Sequence, residues 1–134
     1  MKAKKNSKIK YIEPTKSELE ILQVLWKHGP STVRFVNEQL NEERREVQYA
    51  STLKLMQIMA EKGILKRDES QAKHVYSPAI EENKIKGFLL ERFIETIYNG
   101  SSESLMLQLL GNKKASVKHL EEMKKILKDM EDNK

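Results

Sequence analysis

Apolar residues recur along this chain at two spacings, and the change from one to the other lays out its elements. Leu19, Ile21, Leu22, Val24, Leu25 and Trp26 form a broad helical stripe. The helix opens at Pro14-Thr15-Lys16-Ser17-Glu18, where Thr15 and Glu18 have capping-box spacing, each side chain satisfying the other's free backbone amide. It closes at His28-Gly29-Pro30. Val33, Val36 and Leu40 then define a second helix, capped by Ser31 or Thr32, with Arg34, Asn37, Glu38 and Gln39 outside. Asn41 to Glu46 reads as a charged loop.

A third helix is predicted from Tyr49 to Lys62, with Gly63 as its left-handed cap. Its facing is harder to read, because Tyr49, Leu53, Leu55, Met56, Ile58 and Met59 nearly encircle the axis. One setting buries Thr52, Leu55, Met56 and Met59 and projects Ala50, Ser51, Lys54 and Gln57, and this is the one expected. Ile64–Arg67 and Lys73–Ser77 read as two short strands joined by the turn Asp68-Glu69-Ser70-Gln71-Ala72, and Pro78 ends the second. A hairpin directly after three helices is the order of a winged helix.

The composition breaks at Ala79 to Asn83, and an all-helical module follows. Ile85, Phe88, Leu89, Phe93 and Ile97 stripe one helix that ends near Asn99-Gly100. Leu105, Met106, Leu107, Leu109 and Leu110 lie on a short helix begun at Ser101-Ser102-Glu103-Ser104 and stopped at Gly111-Asn112. A last helix, capped by Ser116, carries Leu120, Met123, Leu127 and Met130 at spacing close to a heptad seam. Short amphipathic helices have little to bury against one another, so a symmetric dimer is expected, formed through Phe88, Leu89, Phe93, Ile97, Leu105, Met106, Leu109, Leu120, Met123 and Leu127. The fold expected is mainly α with a small β-hairpin: a basic flexible arm over 1–12, a winged helix-turn-helix DNA-binding domain over 13–79 and a helical dimerisation module over 80–134.

Charge narrows the reading less than the formal net of +5 suggests. Lys2, Lys4, Lys5, Lys8 and Lys10 crowd the first ten positions, and the remainder is balanced at 20 basic against 20 acidic residues. The local excess that matters runs from Arg44 to Lys73, where Arg44, Arg45, Lys54, Lys62, Lys66, Arg67 and Lys73 face Glu46, Glu61, Asp68 and Glu69. The absence of cysteine rules out disulfides, thiolate metal sites and a cysteine nucleophile. No apolar run approaches the roughly 18 residues of a membrane span, and no signal-peptide segment follows the lysines, so a cytoplasmic protein without membrane insertion is expected. His28, His74 and His119 are scattered, and the five glycines form no phosphate-cradling motif, so neither enzymatic activity nor a cofactor or metal is expected. The Met and Leu stripes of the last helices suit core and subunit contact better than a ligand pocket.

On the third helix, Ser51 can meet a phosphate or base edge, Lys54 a phosphate or guanine, and Gln57 lies a turn further along. Gln48, Tyr49 and Ala50 begin that helix, where free amides attract phosphate, although Tyr49 could equally pack inward. Thr32 and Arg34 could anchor the duplex backbone from the second helix, unless Thr32 serves only as its cap. Arg44 and Arg45 offer phosphate contacts or simply a charged loop, and Arg67, Lys73 and His74 are the wing candidates, with Tyr76 assigned to the core.

The segment Thr15 to Pro78 resembles the BlaI/MecI/CopY (penicillinase repressor) family of winged-helix regulators. The matching residues are Glu18-Leu19-Glu20-Ile21-Leu22-Gln23-Val24-Leu25-Trp26, Thr32-Val33-Arg34-Phe35-Val36, Met59-Ala60-Glu61-Lys62-Gly63-Ile64-Leu65 and Val75-Tyr76-Ser77-Pro78. Phe93, Tyr98-Asn99-Gly100-Ser101 and Leu105-Met106-Leu107 match its dimerisation region more loosely. The resemblance implies a homodimeric repressor on an inverted-repeat, double-stranded DNA operator, released through a membrane metalloprotease-type sensor. Ala50-Ser51 stands where the family often has a Thr-Thr pair, and Gln71-Ala72 where its wing commonly has Gly-Arg. Gln108-Leu109 falls where the β-lactam-responsive branch is cut at an Asn-Phe bond. Without cysteine, the copper-sensing branch is excluded. Two other readings stay in view: a winged-helix protein-interaction adaptor, and a repressor switched by a small ligand.

Overall fold

The computed structural model describes residues 13–111 and 117–132; the basic arm and the Ser116 cap lie outside them. Helix α1 (Lys16–His28) starts on the expected capping box. Thr15 Oγ1 accepts from the Glu18 amide at 3.2 Å, and Glu18 Oε1 accepts from the Thr15 amide at 2.9 Å. Helix α2 (Val33–Glu43) is capped by Thr32, whose hydroxyl accepts from the Phe35 amide. The Ser31 backbone instead exchanges two hydrogen bonds with Tyr76, tying the α1–α2 turn to the wing. α2 runs longer than expected and takes in Asn41 to Glu43. The reason is local, since the Asn41 side chain bonds both the amide and the carbonyl of Val47 and so draws the following chain onto the last helical turn.

Helix α3 (Tyr49–Glu61) is followed by Gly63 at φ +86°, the left-handed conformation that glycine adopts without a Cβ clash. Thr52, Met56 and Met59 are buried as expected, while Leu55 is only half-buried. Strands β1 (Leu65–Asp68) and β2 (Val75–Pro78) pair antiparallel, with Leu65 opposite Pro78 and Arg67 opposite Tyr76. Ile64 precedes β1 because its amide returns to the Met59 carbonyl at the helix end. Lys73 and His74 belong to the connecting segment instead of β2, which places both on the wing.

Ile21, Leu22, Leu25, Val36, Leu40, Met56, Met59, Ile64, Leu65 and Tyr76 form the core between the three helices and the hairpin. Three helices followed by this hairpin make a winged helix. A buried acid reaches across it: the second carboxylate oxygen of Glu18, only 2% exposed, accepts from Lys62 Nζ at 2.8 Å. One buried acid thus caps the start of α1 and holds the end of α3.

Helix α4 (Glu82–Tyr98) is followed by α5 (Ser102–Gly111) and α6 (Val117–Asp132). The chain divides into two compact units between Phe88 and Leu89, inside α4. In the first unit Ile85 is fully buried, Trp26 Nε1 donates to the Ile80 carbonyl at 3.4 Å, and the Lys86 ammonium stands 5.7 Å from the Trp26 ring centre. In the second, Asn99 and Gly100 both have positive φ, and the Ser101 hydroxyl accepts from the Ser104 amide to start α5. No described residue of α5 or α6 is buried. No helix among the described residues is long and apolar enough to cross a membrane.

The Glu18–Lys62 pair makes an asymmetric prediction. Lys62→Met strands a buried carboxylate and should cost about 2 kcal/mol, less than a wholly buried pair because the ammonium is partly solvated. Glu18→Gln keeps an acceptor for the Thr15 amide and leaves Lys62 access to water, so it should cost clearly less. Urea denaturation midpoints of the two variants test that order.

Candidate nucleic-acid interface

The surface that α3 presents depends on how its first turn is held. Asn37 Nδ2 donates to the Thr52 hydroxyl at 2.8 Å and to the Val47 carbonyl at 3.0 Å. One turn along α2, Asn41 donates to the Asn37 and Val47 carbonyls and accepts from the Val47 amide. Two asparagines therefore clamp the α2–α3 connection and fix which side of α3 turns inward. Hydrophobic spacing alone puts Asn37 on the outside of α2; its i, i+4 spacing with Asn41, ahead of a loop lacking Gly and Pro, is the signal in the sequence that points to the clamp.

With Thr52 turned inward, Ala50, Ser51, Lys54 and Gln57 are all exposed. Ala50, Lys54 and Gln57 follow one another at helical spacing and form one stripe, with Ser51 beside it. Glu61 continues the stripe, so its cationic part lies toward the N-terminal end. A depression of about 440 Å3 separates α3 from the wing, and Thr32, Arg34, Tyr49, Gln57, Lys73 and His74 line it together with Glu38. Tyr49 is 42% exposed, and the Arg34 guanidinium carbon lies 5.1 Å from its ring centre. Gln48, the N-cap of α3, makes no side-chain cap, in contrast to the hydroxyl caps of α1 and α2.

Several of the basic residues counted from the sequence are engaged elsewhere. Arg44 donates to Gln23, and Arg45 donates to Ser17 and to the buried Glu20 at 3.1 Å, so both reach back to α1. Lys62 is bound to Glu18. Arg67 pairs with Glu69 on the wing, and the Tyr76 hydroxyl, then that carboxylate, raise its pKa above the usual arginine value. Asp68 accepts the Ser70 amide at 2.9 Å, which holds its carboxyl below the usual aspartate range. Its contribution to the wing turn is therefore complete above the ordinary aspartate pKa and fades as pH falls through the lowered value. Lys54, Lys66 and Lys73 have no ion-pair partner among the described residues.

Of the second group of candidates, Phe93, Ile97, Met106, Leu109 and Leu127 stand exposed, as does Gln108. Phe88, Leu89, Leu105, Leu120 and Met123 are half-buried within one chain. Among the large hydrophobic side chains left exposed in the described residues, all but Tyr49 lie from Leu90 onward.

The asparagine clamp is testable without DNA. Asn37→Ala leaves the Thr52 hydroxyl, in a residue 1% exposed, without its donor and should destabilise the first unit by about 1–3 kcal/mol. Combining it with Thr52→Val should recover part of that loss, because both ends of the bond are then apolar. Denaturant midpoints of the two single variants and the double variant measure the coupling.

A family model described as Penicillinase repressor matches residues 14–129. A penicillinase repressor from Staphylococcus aureus is 29% identical over 122 residues, covering 90% of this chain and 95% of that protein. A penicillinase repressor from Bacillus licheniformis is 27% identical over 119 residues, covering 88% and 91%. Among solved structures, the transcriptional regulator Tm0710 from Thermotoga maritima superposes with a TM-score of 0.50 at 21% identity, covering 90% of this chain and 78% of that one, a likeness of fold. Matched over nearly its whole described length and folded as a winged helix, the chain belongs to the penicillinase repressor family of transcriptional regulators.

Proposed function

We propose that this chain is a homodimeric repressor that places α3 of each subunit in a major-groove half-site of an inverted-repeat operator. The observation that carries this reading is the exposed stripe Ala50-Lys54-Gln57 with Ser51 beside it, flanked by a wing whose Lys66 and Lys73 have no acidic partner among the described residues. Lys54 supplies charge where a major groove lies, Ser51 a hydroxyl for a phosphate or base edge, and Gln57 an amide that can pair with adenine. Lys73 and His74 reach the adjacent backbone from the wing. Arg44 and Arg45, held on α1, take a lesser part.

Dimerisation is supported by the second unit. α5 carries Met106, Leu107, Leu109 and Leu110 at exposures from 39% to 69%, which is surface that water disfavours and a second copy would cover. Two linked α3 helices bind far more tightly than either alone, so the helical module controls occupancy of the operator. Release follows when a membrane metalloprotease-type sensor leads to loss of that module. Gln108-Leu109 lies within α5, so cutting there requires the helix to open first.

Ser51→Ala combined with Lys54→Ala should abolish selective binding to the chain's own upstream region while the denaturation midpoint stays put. Unchanged affinity in a gel shift would remove α3 from the interface. If six to ten phosphates are neutralised per dimer, affinity should fall by about 10³- to 10⁵-fold between 50 and 200 mM salt. A protein that gives no salt-sensitive, sequence-selective shift is an adaptor instead. Light scattering of the full chain at micromolar concentration should give twice the mass of one subunit, and a monomer there would overturn the dimer.

A further inference from the structure

We propose that Tyr49 is a positioning residue that holds Arg34 ready for a DNA phosphate, so that the depression between α3 and the wing cradles one backbone strand. The inference rests on the proposed DNA binding and adds a site to it. Arg34 is the second residue of α2 and Tyr49 the first of α3, and the two helix starts meet at one side of this depression. The guanidinium carbon lies 5.1 Å from the ring centre. Glu38, one turn along α2, lines the same depression, yet it forms no ion pair with Arg34.

That choice of partner decides what Arg34 can still do. A carboxylate would occupy the N–H fork of the guanidinium, whereas an aromatic ring engages only its flat face. Held over Tyr49 and not by a carboxylate, the group keeps N–H donors for the two oxygens of a phosphate. The ring also removes rotamer freedom that a solvent-exposed arginine would otherwise lose on binding. Lys73 and His74 line the same depression from the wing, so with Arg34 three basic side chains stand there against the single carboxylate of Glu38. The first turn of α3, which Gln48 leaves without a side-chain cap, adds the positive end of the helix dipole beside Tyr49.

The test uses the full chain and a labelled mixed-sequence duplex, followed by fluorescence anisotropy across a salt series, so the operator need not be known. Arg34→Ala should lower the slope of log affinity against log salt by about one per subunit. Tyr49→Leu should weaken binding about two- to five-fold, the value of an exposed cation–π contact. The same change made in Arg34→Ala protein should cost nothing further. Tyr49→Phe, which retains the ring, should restore most of the affinity lost in Tyr49→Leu.

An equal loss from Tyr49→Leu with and without Arg34 would overturn the proposal, as would an unchanged salt slope in Arg34→Ala. Failure of Tyr49→Phe to rescue would do the same. If those outcomes appear while Ser51→Ala with Lys54→Ala still abolishes selective binding to the upstream region, only this inference falls. Should the unaltered chain bind neither duplex, the DNA-binding reading falls with it.

Discussion

The rotational setting of α3 about its own axis is the constraint from which the surface follows, and buried polar groups set it. Hydrophobicity alone leaves that rotation poorly fixed, because Leu53, Leu55, Met56, Ile58 and Met59 surround much of the axis. Thr52, bound by Asn37, selects the inward side at the helix start. Lys62, bound by Glu18, holds the far end to the first turn of α1. A roll of one residue, about 100° in an α-helix, would unpair both attachments and carry Lys54 off the outward stripe. Apolar packing supplies most of the burial energy, but these two contacts determine which side chains meet the solvent.

The same contacts change what the net charge means. Of the seven basic residues between Arg44 and Lys73, four pair with groups on the protein, three of them with residues of α1. What remains is sparse: Lys54 on α3, Lys66 and Lys73 on the hairpin, and Arg34, which lies over the Tyr49 ring and lines the same depression as Lys73. Electrostatic attraction to phosphates scales with the number neutralised, so one such surface has limited purchase on a duplex. In the proposed dimer two such surfaces would act together, which would give the helical module a physical reason to accompany the winged helix.

Elements governed by neighbours in sequence are the legible part. The Thr15–Glu18 box, the Gly63 cap, the helical stripes and the hairpin order follow from local chemistry and appear in the fold, and the family resemblance carried by Glu18–Trp26 through Val75–Pro78 agrees with the match over residues 14–129. Contacts between distant residues leave a fainter trace. Local spacing makes Glu18 half of a cap, while its other oxygen reaches Lys62, 44 positions away. Asn37 looks like a surface residue because its partners lie beyond its own helix. The α2 end and the start of β2 differ from expectation for a related reason: the Asn41 side chain holds the chain after α2, and the pairing of Asp68 with Val75 sets where β2 begins.

The second unit reverses the balance that holds the first together. In the winged helix, Leu22, Val36, Met56, Met59 and Tyr76 are at most 1% exposed, and polar pins act on a core that is already complete. In α5, apolar side chains outnumber polar ones, yet none is buried among the described residues, so its apolar surface lacks the cover that the first unit's core has. A helix of 10 residues is marginal in water on its own, so packing of its apolar side chains has to contribute to its order. If a second copy supplies that packing, folding of the module and pairing of the subunits become a single equilibrium that depends on protein concentration. On the proposed reading, a switch acting on α5 would have no need to touch α3: lowering the fraction of paired chains would be enough to empty a two-part operator.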